Sequence, residues 1–227
     1  MEQAKLQDIK KKIFIFFPLA ILVTGLMLFL PAGSLYFWQA WVFMGVLFIP
    51  VVFVVFYFLK HDPELLERRF RFKEKEAKQK SIIKLAQLFF IIGLLIPGLD
   101  FRYGWSNVPV WLVIVSDVAI FFSYMLVFLV FKENSYTSRI IEVDKNQKVV
   151  STGPYAIVRH PMYAGTIPMF LCLPLALGSY FALVFFAPVA ILILFRILNE
   201  ETVLLRDLKG YREYTKKVKY RLIPGIW

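Results

Sequence analysis

Residues 36–59 read YFWQAWVFMGVLFIPVVFVVFYFL, 24 positions without one Asp, Glu, Lys, Arg or His. An α-helix of ~20 apolar residues crosses a hydrocarbon core of ~30 Å, so this run commits the chain to a bilayer. Similar runs lie near Ile13–Pro31, Ile82–Leu99 and Val110–Phe131, and two shorter ones near Ala164–Leu177 and Phe181–Leu198. Composition agrees: the 227 residues are 59% hydrophobic and 18% aromatic, with a mean hydropathy of +0.65, too apolar for an ordinary soluble domain. A membrane β-barrel would show short alternating segments, and the sequence has none. The expected fold is all-α, a polytopic integral membrane helical bundle of about six spans. The last two form a short C-terminal hairpin turning at Gly178-Ser179 and kinked by Pro168, Pro174 and Pro188. A cytoplasmic amphipathic helix follows Arg196, with Leu204, Leu205 and Leu208 on one face, and the tail from Arg221 to Trp227 folds back onto the interface.

The net charge of +11 is arranged by topology. With the N-terminus inside, basic residues fall into four groups: Lys5 to Lys12, Lys60 to Lys84, Lys132 to Arg159, and Arg196 to Arg221. Only Arg102 falls in an outside loop, Asp100 to Trp105, whose aromatics suit the far interface. The positive-inside rule then puts both termini in the cytoplasm and accounts for the charge without a nucleic-acid partner. Anionic lipid headgroups are the natural counterpart. The first apolar run is too long for a signal peptide and is read as a retained helix. Cys172 is the only cysteine, which excludes a disulfide within the monomer, and His61 and His160 lack the companions of a zinc site. Two regions follow, 1–131 with four spans and 132–227 with the polar chemistry. The Asp62–Lys80 stretch reads as a surface helix along the headgroups, its Lys73–Lys80 run as a solvated face. Asp117, inside the fourth span, reads as a group bonded to a neighbouring helix.

That chemistry begins at Gly153-Pro154-Tyr155-Ala156-Ile157-Val158-Arg159-His160-Pro161-Met162-Tyr163-Ala164-Gly165 and resumes at Arg196-Ile197-Leu198-Asn199-Glu200-Glu201. Charged residues at a membrane boundary are costly and mark working sites. Pro161 suits the first position of a helix, whose free first-turn amides would receive a carboxylate or phosphate. Tyr155 and Tyr163 offer aromatic faces to a sulfonium or ammonium group. Arg196 and Glu200, four apart, share one side of a helix, while Glu201 points about a quarter-turn away. A zwitterionic ligand suits these opposed ends. Each residue also has a bland reading: Arg159 and His160 as headgroup anchors, the tyrosines as belt residues, Arg196 with Glu200 as a structural ion pair.

Arg159-His160-Pro161-Met162-Tyr163, the later Arg196-x-x-x-Glu200-Glu201 and the tail Tyr211-x-x-Tyr214 resemble the isoprenylcysteine carboxyl methyltransferase family, whose wider group includes phospholipid N-methyltransferases. The likeness covers roughly Ile140 to Trp227. It implies transmembrane helices around a cytosolic-side pocket for S-adenosylmethionine, left as S-adenosylhomocysteine, with a lipid-side opening for the acceptor. By position the cofactor would touch the strand-like lead-in Gln147, Lys148, Val149 and Val150, then Tyr155, His160, Pro161, Met162, Tyr163 and the Glu200-Glu201 pair. Arg196 corresponds to the substrate-side arginine and, with Glu200, to the catalytic pair. Asn199 stands where carboxyl methyltransferases have a glutamate, and Ile140 where they have a glutamine, so the chain departs from the pattern on the acceptor side.

The resemblance implies a membrane-embedded methyltransferase acting on a lipid-soluble or lipidated carboxylate. Phospholipid amine N-methylation is the second reading, and a non-catalytic transporter or assembly protein the third. The sequence has no Gly-x-Gly-x-x-Gly loop, which argues against a soluble Rossmann methyltransferase domain. A carboxylate acceptor is already ionised and needs no base, whereas an amine must lose a proton, to Glu200 or His160.

Overall fold

A computed structural model describes residues 2–70, 74, 77–141, 143–144 and 147–227. Among the described residues eight α-helices follow one another: α1 Glu2–Ala32, α2 Trp38–His61, α3 Pro63–Arg69, α4 Ala77–Tyr103, α5 Val110–Glu133, α6 Pro161–Ala176, α7 Leu183–Asp207 and α8 Tyr211–Lys217. A 3-10 turn, Gly153–Ala156, precedes α6. Five of these helices (α1, α2, α4, α5 and α7) are long and apolar enough to cross a membrane, and α6 is a shorter apolar helix. The multi-pass helical expectation therefore holds. Among the described residues there is no strand, so the lead-in Gln147–Val150 is irregular.

The hairpin differs from its expected form. Its second arm does not end near Leu198: α7 runs unbroken for 25 residues against 16 in α6. The surplus of α7, roughly 13 Å at 1.5 Å per residue, forms a wall beyond the start of α6. The expected separate amphipathic helix is thus the end of α7, followed by the short α8. Leu204 and Leu208 face inward there, but Leu205 is exposed, because Leu204 and Leu208 are four apart and Leu205 is turned off their line.

Helix pairings form a closed ring in the order α1, α4, α7, α6, α5, α2 and back to α1. Small residues permit the closest crossings, as packing between helices in lipid requires. A Cβ on Gly98 would lie 2.4 Å from the Leu28 carbonyl oxygen of α1, and one on Gly165 would lie 2.9 Å from the Ser123 carbonyl oxygen of α5. Leu28, Phe37, Phe43, Ile120, Leu173 and Phe186 fill the interior in one cluster, so packing crosses the boundary drawn at residue 131. Phe14, Leu30, Ile49, Phe56 and Phe122 project outward, an apolar exterior suited to acyl chains.

At the end away from the termini, Asp100 to Tyr103 form the last turn of α4 rather than a loop, and Asp100 is only 2% exposed. It accepts bonds from the Ser106 amide and hydroxyl, both at 2.6 Å, and from the Ser179 hydroxyl. These bonds tie the α4–α5 link to the α6–α7 turn, where Gly178 supplies a φ of 72°. Asp117 is buried with no hydrogen-bond partner among the described residues, contrary to the expected helix-to-helix bond. His61 ends α2, stacked on Tyr57. Of the basic stretch, α3 covers Pro63–Arg69; Arg71, Lys73 and Lys75 lie outside the described residues.

Candidate functional site

Glu200 lies next to Tyr163, 37 residues away in sequence. The Tyr163 hydroxyl donates to Glu200 Oε2 at 2.6 Å, and Arg196 Nε donates to the same hydroxyl oxygen at 2.9 Å. The four-residue spacing of Arg196 and Glu200 puts both on one face of α7, where the ring of Tyr163, from the first turn of α6, lies between them. Helix α6 and the start of its hairpin thereby meet the wall made by α7.

A cleft opens here, at the end of the bundle that carries the basic groups. It is lined by Gln147, Lys148, Val149 and Val150 from the lead-in, Tyr155 from the 3-10 turn, and His160, Pro161, Met162 and Tyr163 from the start of α6. Arg196, Glu200, Leu204, Leu208, Tyr211 and Tyr214 complete it. Every residue expected in the site lines this cleft except Glu201. That carboxylate is 6% exposed and turned into the protein, where it accepts from Arg159 Nε at 2.6 Å and Arg221 Nε at 2.7 Å. Arg159 also donates to the carbonyls of Val218 and Lys219. Glu201 is therefore the anchor of the loop before α6 and of the tail, and the quarter-turn between adjacent positions separates its task from that of Glu200.

His160 sits between the two acids, 4% exposed, with Nδ1 at 4.0 Å from Glu200 Oε1. Its Nε2 lies 3.4 Å from Glu201 Oε1, an ion-pair distance without the alignment of a hydrogen bond. The free-amide anion site expected at the start of α6 is largely closed. The amides of Tyr163 and Ala164 both donate to the His160 carbonyl, and Pro161 has no N–H to offer.

Several contributors were not anticipated. Gln79 of α4 is fully buried, accepts from Arg196 Nη1 at 3.2 Å and donates to the Arg196 carbonyl at 3.4 Å. Glu74 is buried and accepts from the Ile141 amide at 3.1 Å. Neither stands in a recognisable motif, and both come from the region read only as spans and surface. The Tyr211-x-x-Tyr214 pair has a structural part too: the Tyr214 hydroxyl donates to the Tyr155 carbonyl at 2.7 Å, pinning the 3-10 turn to α8. Outside the spans, burial pushes the phenol of Tyr155 up to about 12, and burial likewise raises those of Tyr211 and Tyr214.

The donor set fits S-adenosylmethionine. Val149, Val150, Leu204 and Leu208 offer apolar surface to a purine, and Glu200 offers an acceptor to an ammonium or a ribose hydroxyl. The buried hydroxyl of Tyr211 lacks a partner among the described residues and borders the cleft, a ready donor for a polar ligand.

Residues 111–210 match the family model described as phospholipid methyltransferase. The match spans less than half of the chain and is to the wider group that the motifs resemble; it supports reading this region as that of a membrane methyltransferase, a class whose methyl donor is S-adenosylmethionine. The matched stretch runs from α5 through the loop to α7 and holds all the expected site residues. No curated protein matches the chain.

Proposed function

We propose that the protein methylates a lipid-soluble carboxylate, in the manner of isoprenylcysteine O-methylation, at a cleft facing the cytoplasm. The observation that carries this reading is the Arg196–Tyr163–Glu200 chain of bonds, which sets a cation and an acid side by side at the cleft. Bound against Glu200 and the tyrosines, S-adenosylmethionine would supply an electrophilic methyl group. Tyr163 holds Arg196 and Glu200 in register, so the acid serves the donor side and the guanidinium the acceptor side. Arg196 orients the acceptor carboxylate, which is ionised at neutral pH and requires no base. Positioning then provides most of the rate, as effective molarity. Apolar walls keep water from competing. The clustering of basic residues at the cleft end supports a cytoplasmic orientation with both termini inside.

One observation favours phospholipid amine methylation: His160, buried between Glu200 and Glu201, could accept the proton an amine must lose. Membranes incubated with methyl-labelled S-adenosylmethionine separate the two. The first reading expects a base-labile label released as a volatile product; a base-stable label in a headgroup would replace it with the second. Arg196→Ala should lower acceptor turnover by about 10- to 100-fold, the scale of one lost charge-assisted hydrogen bond, with S-adenosylhomocysteine affinity retained. Loss of that affinity instead would remove the acceptor role assigned to Arg196.

A further inference from the structure

Two guanidinium groups from separate elements, those of Arg69 and Arg196, are tied to one short stretch of the α5–α6 loop beside the cleft. Arg69, the last residue of α3, donates through Nη1 to the Ser138 carbonyl at 3.1 Å and lies 5.0 Å from the centroid of the Phe131 ring. Arg196 of α7 donates through Nη2 to the next carbonyl along, that of Arg139, at 2.8 Å. Arg139 itself stands between these two attachment points. Side chains bound to consecutive peptide carbonyls lie close together, and the exposed Arg139 side chain leaves the chain between them, near enough to act electrostatically on both Arg69 and Arg196.

Groups from several elements face them. Glu74 and Gln79 come from the start of α4 and its lead-in, Tyr124 and Phe131 from α5, Tyr163 from α6 and Glu200 from α7. Burial first, and then repulsion from Arg139 and Arg196, pulls the Arg69 guanidinium down to about 10, a strain that a bound anion would relieve. Arginine is also the side chain best shaped to grip a carboxylate or phosphate in two places. The apolar side chains of Phe131, Ile140 and Ile141 lie along the same region, so an anion reaching it can carry a lipid tail.

We propose that Arg69, Arg139 and Arg196 form a subsite for the anionic group of the acceptor lipid. This rests on the methyltransferase reading of the cleft, and both acceptor classes carry the required chemistry: the reacting carboxylate in one, the headgroup phosphate beside the amine in the other. Residues of α3 and of the α5–α6 loop thereby select the substrate, although Arg69 lies outside the matched family region.

The test uses the full chain in detergent, titrated with palmitate, with lysophosphatidic acid and with a neutral monoacylglycerol, and separately with S-adenosylhomocysteine. Wild type should prefer at least one acidic lipid over the neutral one by about tenfold or more. Arg69→Gln and the exposed Arg139→Gln should each reduce that preference about three- to tenfold, with Arg69→Lys restoring part of it and S-adenosylhomocysteine affinity unchanged. Preference for palmitate assigns a carboxylate, and preference for lysophosphatidic acid a phosphate. Equal binding of all three lipids by wild type, or an intact preference in both glutamine variants, overturns the subsite. Should Arg69→Gln fail to fold, Arg139→Gln decides alone. Persistent acid preference without S-adenosylhomocysteine binding would remove the cofactor reading and leave the anion subsite standing.

Discussion

Glu200 and Glu201 are neighbours in sequence in opposite settings, one lining the cleft and one buried, and the contrast can be measured. Glu201 lies between Arg159 and Arg221, with its side chain 7% exposed. Removing one partner of a buried pair leaves an uncompensated charge, so Glu201→Ala should destabilise by about 3–5 kcal/mol in thermal unfolding. Glu200→Gln keeps the length and a bond to Tyr163, and should leave stability within about 1 kcal/mol while weakening S-adenosylhomocysteine binding. Equal stability losses would erase the distinction. Tyr155 gives a test in pH. Its phenol, ordinarily near 10, is raised to about 12 by burial, against the bonds from Asn134 and Thr137 that favour ionisation. A raised folded-state value means the contribution to stability is complete below about pH 10 and is lost as pH climbs through 12. Tyr155→Phe should therefore be less stable than wild type by about 1 kcal/mol near neutral pH, where Asn134 loses its partner, with the gap closing in alkali. A gap that stays constant up to pH 12 would contradict this.

At the scale of elements, the site depends on how α6 sits against α5 and α7. Gly165 brings α6 against the Ser123 carbonyl of α5, where no side chain fits without displacement. Gly165→Val should push α6 away, costing about 1–3 kcal/mol and weakening S-adenosylhomocysteine binding together with stability. Wild-type behaviour of that variant would show that the helix position is not what sets the cleft. The spans were legible from the sequence because a run such as 36–59 has one reading in a bilayer. The turn angle alone set Glu200 and Glu201 apart, yet the resemblance counts both as cofactor contacts, and only Glu200 lines the cleft. The length of α7 was not legible: a rise in polarity after Arg196 looks like an ending, yet the helix continues because Leu204 and Leu208 still find a buried face. The loop amides were misjudged for a related reason, since the His160 carbonyl satisfies them locally.

For the whole molecule, the ring order matters more than chain order. Helices α4 and α5 are consecutive, yet the pairings set them across the ring, with α1 and α7 flanking one and α2 and α6 the other. That arrangement carries Gln79 from the first half of the chain to the arginine of the last span, and Arg69 to the Ser138 carbonyl beside that arginine's own attachment at Arg139. No periodicity or motif announces such contacts, because they follow from tertiary closure and from single polar side chains in ordinary-looking surroundings. On the proposed reading, this joins a cofactor side built by the loop and α7 to an acceptor side built partly by α3 and α4. The most direct test of this assembly is isothermal titration of S-adenosylhomocysteine into the detergent-purified full chain and into Val150→Trp, which fills the cleft with an indole. The wild type should bind and the variant, equally well folded, should not; folded wild type that takes up no ligand, or a variant that binds as well as wild type, would contradict the account.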